Sequence, residues 1–170
     1  MLITRKELAL RKITVDKTYP AGVFDDRGHM FRQVAPLRVQ AVAELVNSDI
    51  RIRGRLHTRL EMECDRCVAQ MELGVEQNFD LSYRPVSVIA RAEEVEVNSD
   101  ELEVGFYSGE GVELADMVRE QVMLTLPMKR ICRPDCQGLC PICGSNLNLK
   151  KCDCRQQAVN SPLAVLLHRN

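Results

Sequence analysis

Eight cysteines point most directly to chemistry in this 170-residue chain. Cys64 and Cys67 form a C-x2-C pair. Cys132, Cys136, Cys140 and Cys143 follow at spacings of x3, x3 and x2, and Cys152-x-Cys154 closes the series. Thiolates bind Zn²⁺ tetrahedrally, and a C-x2-C turn delivers two sulfurs to one ion. In Cys140-Pro141-Ile142-Cys143-Gly144 the proline stiffens the turn, and the glycine lets backbone amides approach the sulfurs. Two partitions fit the spacing. Either Cys140, Cys143, Cys152 and Cys154 form one site and Cys132, Cys136, Cys64 and Cys67 a second, or the run 132–143 forms one site and the outer pairs join. The predicted role is structural zinc, one or two ions: no histidine lies at ligand spacing, and four thiolates leave no open position for water. The rival chemistries are an iron–sulfur cluster, a disulfide framework and a redox pair at Cys64 and Cys67.

A second set of residues could meet phosphate. Arg51, Arg53, Arg55 and Arg59, with His57, alternate with Ile50, Ile52, Leu56, Leu60 and Met62. On a strand these guanidinium groups stand about 6–7 Å apart, close to the phosphate spacing of a nucleic-acid strand. Lys129, Arg130 and Arg133 flank the start of the cysteine run, and Lys150 and Lys151 lie within it. The competing reading balances the ladder with Glu72, Glu76 and Asp80 across a hairpin. Aromatics are only 4% and Trp is absent, so RNA contact would run through backbone and shape rather than stacked bases.

Motifs for phosphate-binding loops, dinucleotide folds and nucleophile elbows are absent, and His29, His57 and His168 are scattered. The expectation is no catalysis and no small-molecule substrate. No stretch approaches the roughly 20 apolar residues of a membrane helix, and the start, MLITRKELAL, lacks a secretory apolar run, so a cytoplasmic address is expected. The net charge of −1 conceals a pattern: residues 1–60 carry +6, residues 61–117 carry −12 and residues 118–170 carry +5. Local fields rather than this total govern attraction to phosphate. The acidic 91–104 segment offers another role, an adaptor recruiting a basic ribosomal protein or a nuclease.

The elements that must position these residues come in a clear order. Leu37, Val39, Ala41, Ala43 and Leu45 alternate, predicting a strand. After the turn cluster Asn47-Ser48-Asp49 comes the Arg-bearing strand. A third strand runs from Met71 to Tyr83, linked to the second by Cys64-Asp65-Arg66-Cys67. A weaker strand is expected near Leu8–Val15, and a loop or an irregular hairpin over 17–35. Leu114, Val118, Val122 and Leu126 recur every fourth residue, predicting a helix near 112–126 that Pro127 limits. Ser161-Pro162 begins a closing helix. These elements predict an α+β fold: a curved antiparallel, barrel-like sheet with a few helices over 1–126, and a Cys-rich zinc-binding module over 127–170.

The stretch Leu124–Cys154, LTLPMKRICRPDCQGLCPICGSNLNLKKCDC, resembles the C-terminal signature of the YceD family, the large ribosomal RNA subunit accumulation proteins. That signature is an L-x-L-P segment, C-x3-C-x-G-L-C-P-x-C-G, an N-L-N-like turn and C-x-C. Ile52-Arg53-Gly54 through Cys67 resembles the family's V-x-G strand and C-x-R-C. Leu114–Glu120 is similar to its helix, and Ser161–Leu166 to its closing helix. The resemblance implies a non-enzymatic protein needed for large-subunit ribosomal RNA to accumulate, binding precursor 23S rRNA or a pre-large-subunit particle.

Overall fold

The computed structural model describes residues 1–25, 31–89, 104–152 and 154. Backbone contacts divide the chain into two units. Met1–Met62 with Glu72–Met128 form the first, and Glu63–Met71 with Lys129–Asn170 the second.

The first unit is built on strands. β1 (Leu2–Thr4) leads into the short α1 (Arg5–Leu8), whose N-cap Thr4 accepts from the Glu7 backbone N–H. β2 spans Ile13–Tyr19, β3 Arg32–Gln33, β4 Leu37–Val46, β5 Asp49–Glu63 and β6 Gln70–Pro85. After α2 (Val86–Ile89) come β7 (Val104–Tyr107), β8 (Gly111–Glu113) and α3 (Leu114–Leu124). The main sheet has the order β2-β4-β5-β6-β7, with β3 also on β5, while β1 and β8 form a separate antiparallel pair.

Period-two patterning builds the core. Leu37, Val39 and Ala43 of β4 and Ile50, Ile52, Leu56 and Leu60 of β5 are fully buried. Val46 pairs with Asp49, so Asn47 and Ser48 make a two-residue turn. Asn47 takes the left-handed conformation (φ 57°) that such turns require and asparagine tolerates. Gly54 faces Ala41 across the ladder, where an added Cβ would collide with the Gln40 carbonyl and the Ala41 methyl. This close approach gives a physical reason for the glycine in the Ile52-Arg53-Gly54 segment. Helix α3 adds Leu114, Met117, Val118 and Val122 to the buried set, the three-to-four spacing of an amphipathic helix.

Several expectations change. The sheet is not closed into a barrel: β2 and β7 stand at opposite ends of its order. Nor is it wholly antiparallel, because β7 joins β6 in parallel, Ser82 to Val104 through Pro85 to Tyr107. Residues 86–103 supply the long connection that a parallel pair needs. The strand expected near Leu8–Val15 is instead the end of α1 followed by β2. The stretch 17–35, expected as a loop or an irregular hairpin, contains the end of β2 and all of β3. Buried Gln33 helps hold it, accepting from the Phe24 backbone N–H and donating to the Pro20 and Ala35 carbonyls. Gly111–Glu113, assigned in part to the predicted helix, pairs as β8 with β1. The closing helix and residues 91–103 of the acidic segment lie outside the described residues.

Candidate functional site

The second unit gathers the eight sulfurs into two groups of four. Cys64, Cys67, Cys132 and Cys136 form one; Cys140, Cys143, Cys152 and Cys154 form the other. Within each, all four sulfurs lie within 4.8 Å of one another. Of the two partitions that spacing left open, this arrangement matches the first. In the first group Cys64 and Cys136 Sγ are 3.9 Å apart, and Cys67 and Cys132 Sγ 3.7 Å. A tetrahedral ion with bonds of about 2.3 Å requires sulfur–sulfur edges of about 3.8 Å. A disulfide would require about 2.05 Å. The donor set therefore fits a thiolate-bound metal, and Cys64 and Cys67 belong to a four-sulfur cluster rather than standing as an isolated pair.

The two C-x2-C turns share one local construction. Cys64 N–H donates to the Ala69 carbonyl, and Val68 N–H returns to the Cys64 carbonyl, both at 2.9 Å. Cys140 N–H donates to Ser145 O at 2.8 Å, and Gly144 N–H returns to Cys140 O at 2.9 Å. The residue after the second cysteine is left-handed in both, Val68 at φ 58° and Gly144 at φ 70°. Glycine adopts that conformation without cost, whereas a β-branched side chain is strained there.

Backbone and amide donors reach the sulfurs. Cys132 N–H lies 3.4 Å from Cys64 Sγ, and Ile142 N–H lies 3.5 Å from Cys140 Sγ. Asn148 Nδ2 donates to Cys136 Sγ at 3.4 Å. The Asn148 side-chain Oδ1 accepts from Gln137 N–H and from the Arg133 guanidinium, while Asn146 Nδ2 reaches the Cys67 carbonyl. The Asn146-Leu147-Asn148 turn thus serves the first group, although it lies between ligands of the second. Sequence reasoning noted this turn without assigning it a role; a polar pair placed between two ligand pairs was the available signal. Asp65 and Arg130 also clasp the first group. Their backbones bond at 2.7 Å, and the carboxylate takes both the Arg130 N–H and its guanidinium.

Electrostatics agree with a cation-seeking site. The Cys132 N–H, then those of Arg66 and Cys67, hold the Cys64 thiol down to about 6. The Ser145 hydroxyl and backbone do the same for Cys143, also about 6. Burial and the neighbouring sulfurs push Cys132 up to about 12, and the Cys143 sulfur together with burial pushes Cys154 up to about 12. Each group thus sets thiols that ionise readily, Cys64 and Cys136 in the first and Cys140 and Cys143 in the second, beside at least one that resists becoming a further anion. A divalent cation removes that opposition and lets all four bind as thiolates.

The arginine ladder is also in place, but engaged. Arg51 makes a bidentate pair with Asp80 (2.6 and 2.8 Å), and Arg53 meets Glu44 at 2.7 Å. Arg59 lies 3.5 Å from Glu72, and Arg55 donates twice to the Gln40 amide oxygen. Glu44 joins the acids that sequence reasoning placed opposite the ladder. Arg130 is held by Asp65. Lys129, Lys150 and Lys151 are exposed and make no ion pair among the described residues.

The model of the family described as large ribosomal RNA subunit accumulation protein YceD matches residues 52–168. An uncharacterised protein of Mycobacterium tuberculosis is 32% identical over 109 residues, covering 64% of this chain and 48% of its own length. Two plant proteins, named large ribosomal RNA subunit accumulation protein YCED homolog 1, chloroplastic, also match. The Arabidopsis thaliana protein is 24% identical, covering 86% of this chain and 49% of its own length. The Zea mays protein is 22% identical, with coverages of 90% and 60%. The chain spans about half the length of the first curated relatives it matches. No solved structure gives a significant match.

Proposed function

This chain belongs to the YceD family, and from that premise we propose that it is a non-catalytic factor for accumulation of large-subunit ribosomal RNA. In this reading it acts in the cytoplasm and binds precursor 23S rRNA or a pre-large-subunit particle. The observation that carries the reading is the family match, which spans the basic, cysteine-rich unit and gives relatives that bear the accumulation name. Each four-cysteine group holds a structural zinc ion, consistent with the 3.7 and 3.9 Å sulfur edges of the first group and with four sulfurs within 4.8 Å of one another in the second. The ions fix the loops that present Lys129, Lys150 and Lys151. Arg51, Arg53 and Arg59 spend their charge on neighbouring carboxylates, so the lysines supply the larger share of phosphate attraction and Arg55 assists.

Ultraviolet crosslinking in cells, followed by sequencing of attached RNA, tests the reading. Crosslinks clustered in precursor 23S rRNA are expected, and absence of enrichment with good protein recovery overturns direct RNA binding. Lys150→Glu with Lys151→Glu should reduce crosslinking more than Arg53→Glu with Arg55→Glu. The opposite order moves the contact to the ladder. Elemental analysis under reducing conditions should give two zinc ions per chain; no metal removes the zinc assignment.

A further inference from the structure

We propose that the groove beside β7 and α3 in the first unit docks an extended polypeptide segment of mixed cationic and aliphatic residues. Strand β7 ends the main sheet, and among the described residues no strand pairs with its other edge. An open edge offers backbone donors and acceptors to an added strand. Beside β7 two adjoining cavities, about 540 and 430 Å³, are lined by residues of β6, β7, β8 and α3 and share Tyr83, Phe106 and Glu120. Their combined extent suits several side chains rather than a small ligand enclosed on all sides.

The lining specifies the occupant. All seven aromatics lie among the described residues, and Phe106 is the one that stands exposed, at 55%. Leu124, at the end of α3, is 71% exposed. Tyr83 forms the floor: its ring lies over Gly105, where an added Cβ would come within 2.9 Å of two ring carbons. This apolar strip favours aliphatic side chains.

The charged residues favour cations. Asp116 and Glu120 are exposed, sit one turn apart on α3 and have no ion-pair partner among the described residues. Like charges at that spacing repel. The other acids at the groove are already engaged, Asp80 by Arg51 and Glu113 by the terminal amine. The linker 90–103, by sequence alone, carries six carboxylates against one arginine. The chain's own linker therefore matches the groove in sign and is a poor occupant, while a basic segment from another protein complements it. This inference does not depend on the RNA reading, because the lysines invoked there belong to the other unit.

The test uses the full chain and a fluorescein-labelled peptide, KVKIKVK, followed by fluorescence anisotropy in 150 mM salt. Saturable binding is expected, and the charge-reversed EVEIEVE should not bind. Phe106→Ser should weaken KVKIKVK binding at least tenfold, and Asp116→Asn with Glu120→Gln at least fivefold. The latter changes are exposed and nearly isosteric, so they separate lost docking from lost folding. Arg11→Glu, at an exposed position outside the groove, should leave affinity within twofold. The proposal is overturned if the wild-type chain does not saturate, if both peptides bind alike, or if the groove variants bind as the wild type does. Direct saturable binding of a labelled 12-nucleotide polyuridine that Phe106→Ser abolishes also overturns it, because the groove would then be a nucleic-acid surface.

Discussion

The two four-cysteine groups begin from the same knuckle and end in different architectures. Both turns close with the same pair of backbone hydrogen bonds and with a left-handed residue at the same position. The first then takes its remaining sulfurs from a segment 65 to 72 residues away and buries three of its four cysteines. The second completes itself within the fifteen residues 140–154 and leaves Cys143 exposed. Identical local chemistry therefore yields a long-range staple in one place and a local clip in the other. The difference lies in which chain segment supplies the second pair, and in the hydrogen bonds that bring it there.

The largest expected contrast comes from removing one ligand of each group. By the chain-entropy measure used for disulfides, a cross-link closing about 72 residues is worth about 4 kcal/mol, and one closing about 14 residues about 3 kcal/mol. Cys136→Ser and Cys154→Ser should each lower zinc content from two ions to one, with the greater loss of melting temperature in Cys136→Ser. Equal losses would erase the distinction between staple and clip. Next in size is Asn148→Ala, which removes a donor to Cys136 and the acceptor that serves Gln137 and Arg133. It should cost about 1–3 kcal/mol and weaken the first ion about 10- to 100-fold, leaving the second intact in a chelator competition.

Exchanging the left-handed residues sharpens the comparison further. Val68→Gly should stabilise by about 1 kcal/mol through relief of strain, and Gly144→Val should destabilise by about 1–2 kcal/mol. Chemical denaturation of the metal-loaded chain reads both changes. The smallest effect is Asp65→Asn, which removes a solvent-screened ion pair with Arg130. The Arg130 N–H and guanidinium hold the Asp65 carboxyl below its ordinary value of 3.8. A depressed carboxyl stabilises above its unfolded value, and that contribution disappears as pH falls below 3.8 through the folded value. The variant should therefore lose the Asp65 contribution to acid sensitivity in that window, seen by comparing melts above and below it.

Much of the fold was legible because β4, β5 and β6 alternate cleanly and α3 repeats every three to four residues. The α+β class and the strand carrying Arg51 to Arg59 follow from periodicity alone. Three-residue β1 and β8 carry too few positions for a period to register, and the parallel joining of β7 to β6 leaves no mark in local patterning. In the candidate site, the cysteines announced themselves by spacing, but the grouping did not. It depends on where the β5–β6 turn delivers Cys64 and Cys67, and on the contacts of Asn146 and Asn148. The ladder shows a complementary limit: alternation placed its arginines on the polar face, yet Glu44 was not foreseen as a partner because it comes from β4 rather than β6.

The divided ligand set of the first group also has a consequence in time. Cys64 and Cys67 are synthesised 65 residues or more before their partners Cys136 and Cys132. At elongation rates of about 5–20 residues per second, that interval lasts about 3–13 seconds. Throughout it the nascent chain holds two thiols with half of a coordination shell, open to oxidation or to the wrong ion. The second group gathers its four ligands in the time needed to make fifteen residues. The growing chain therefore commits Cys64 and Cys67 to a wait that Cys140 and Cys143 largely avoid.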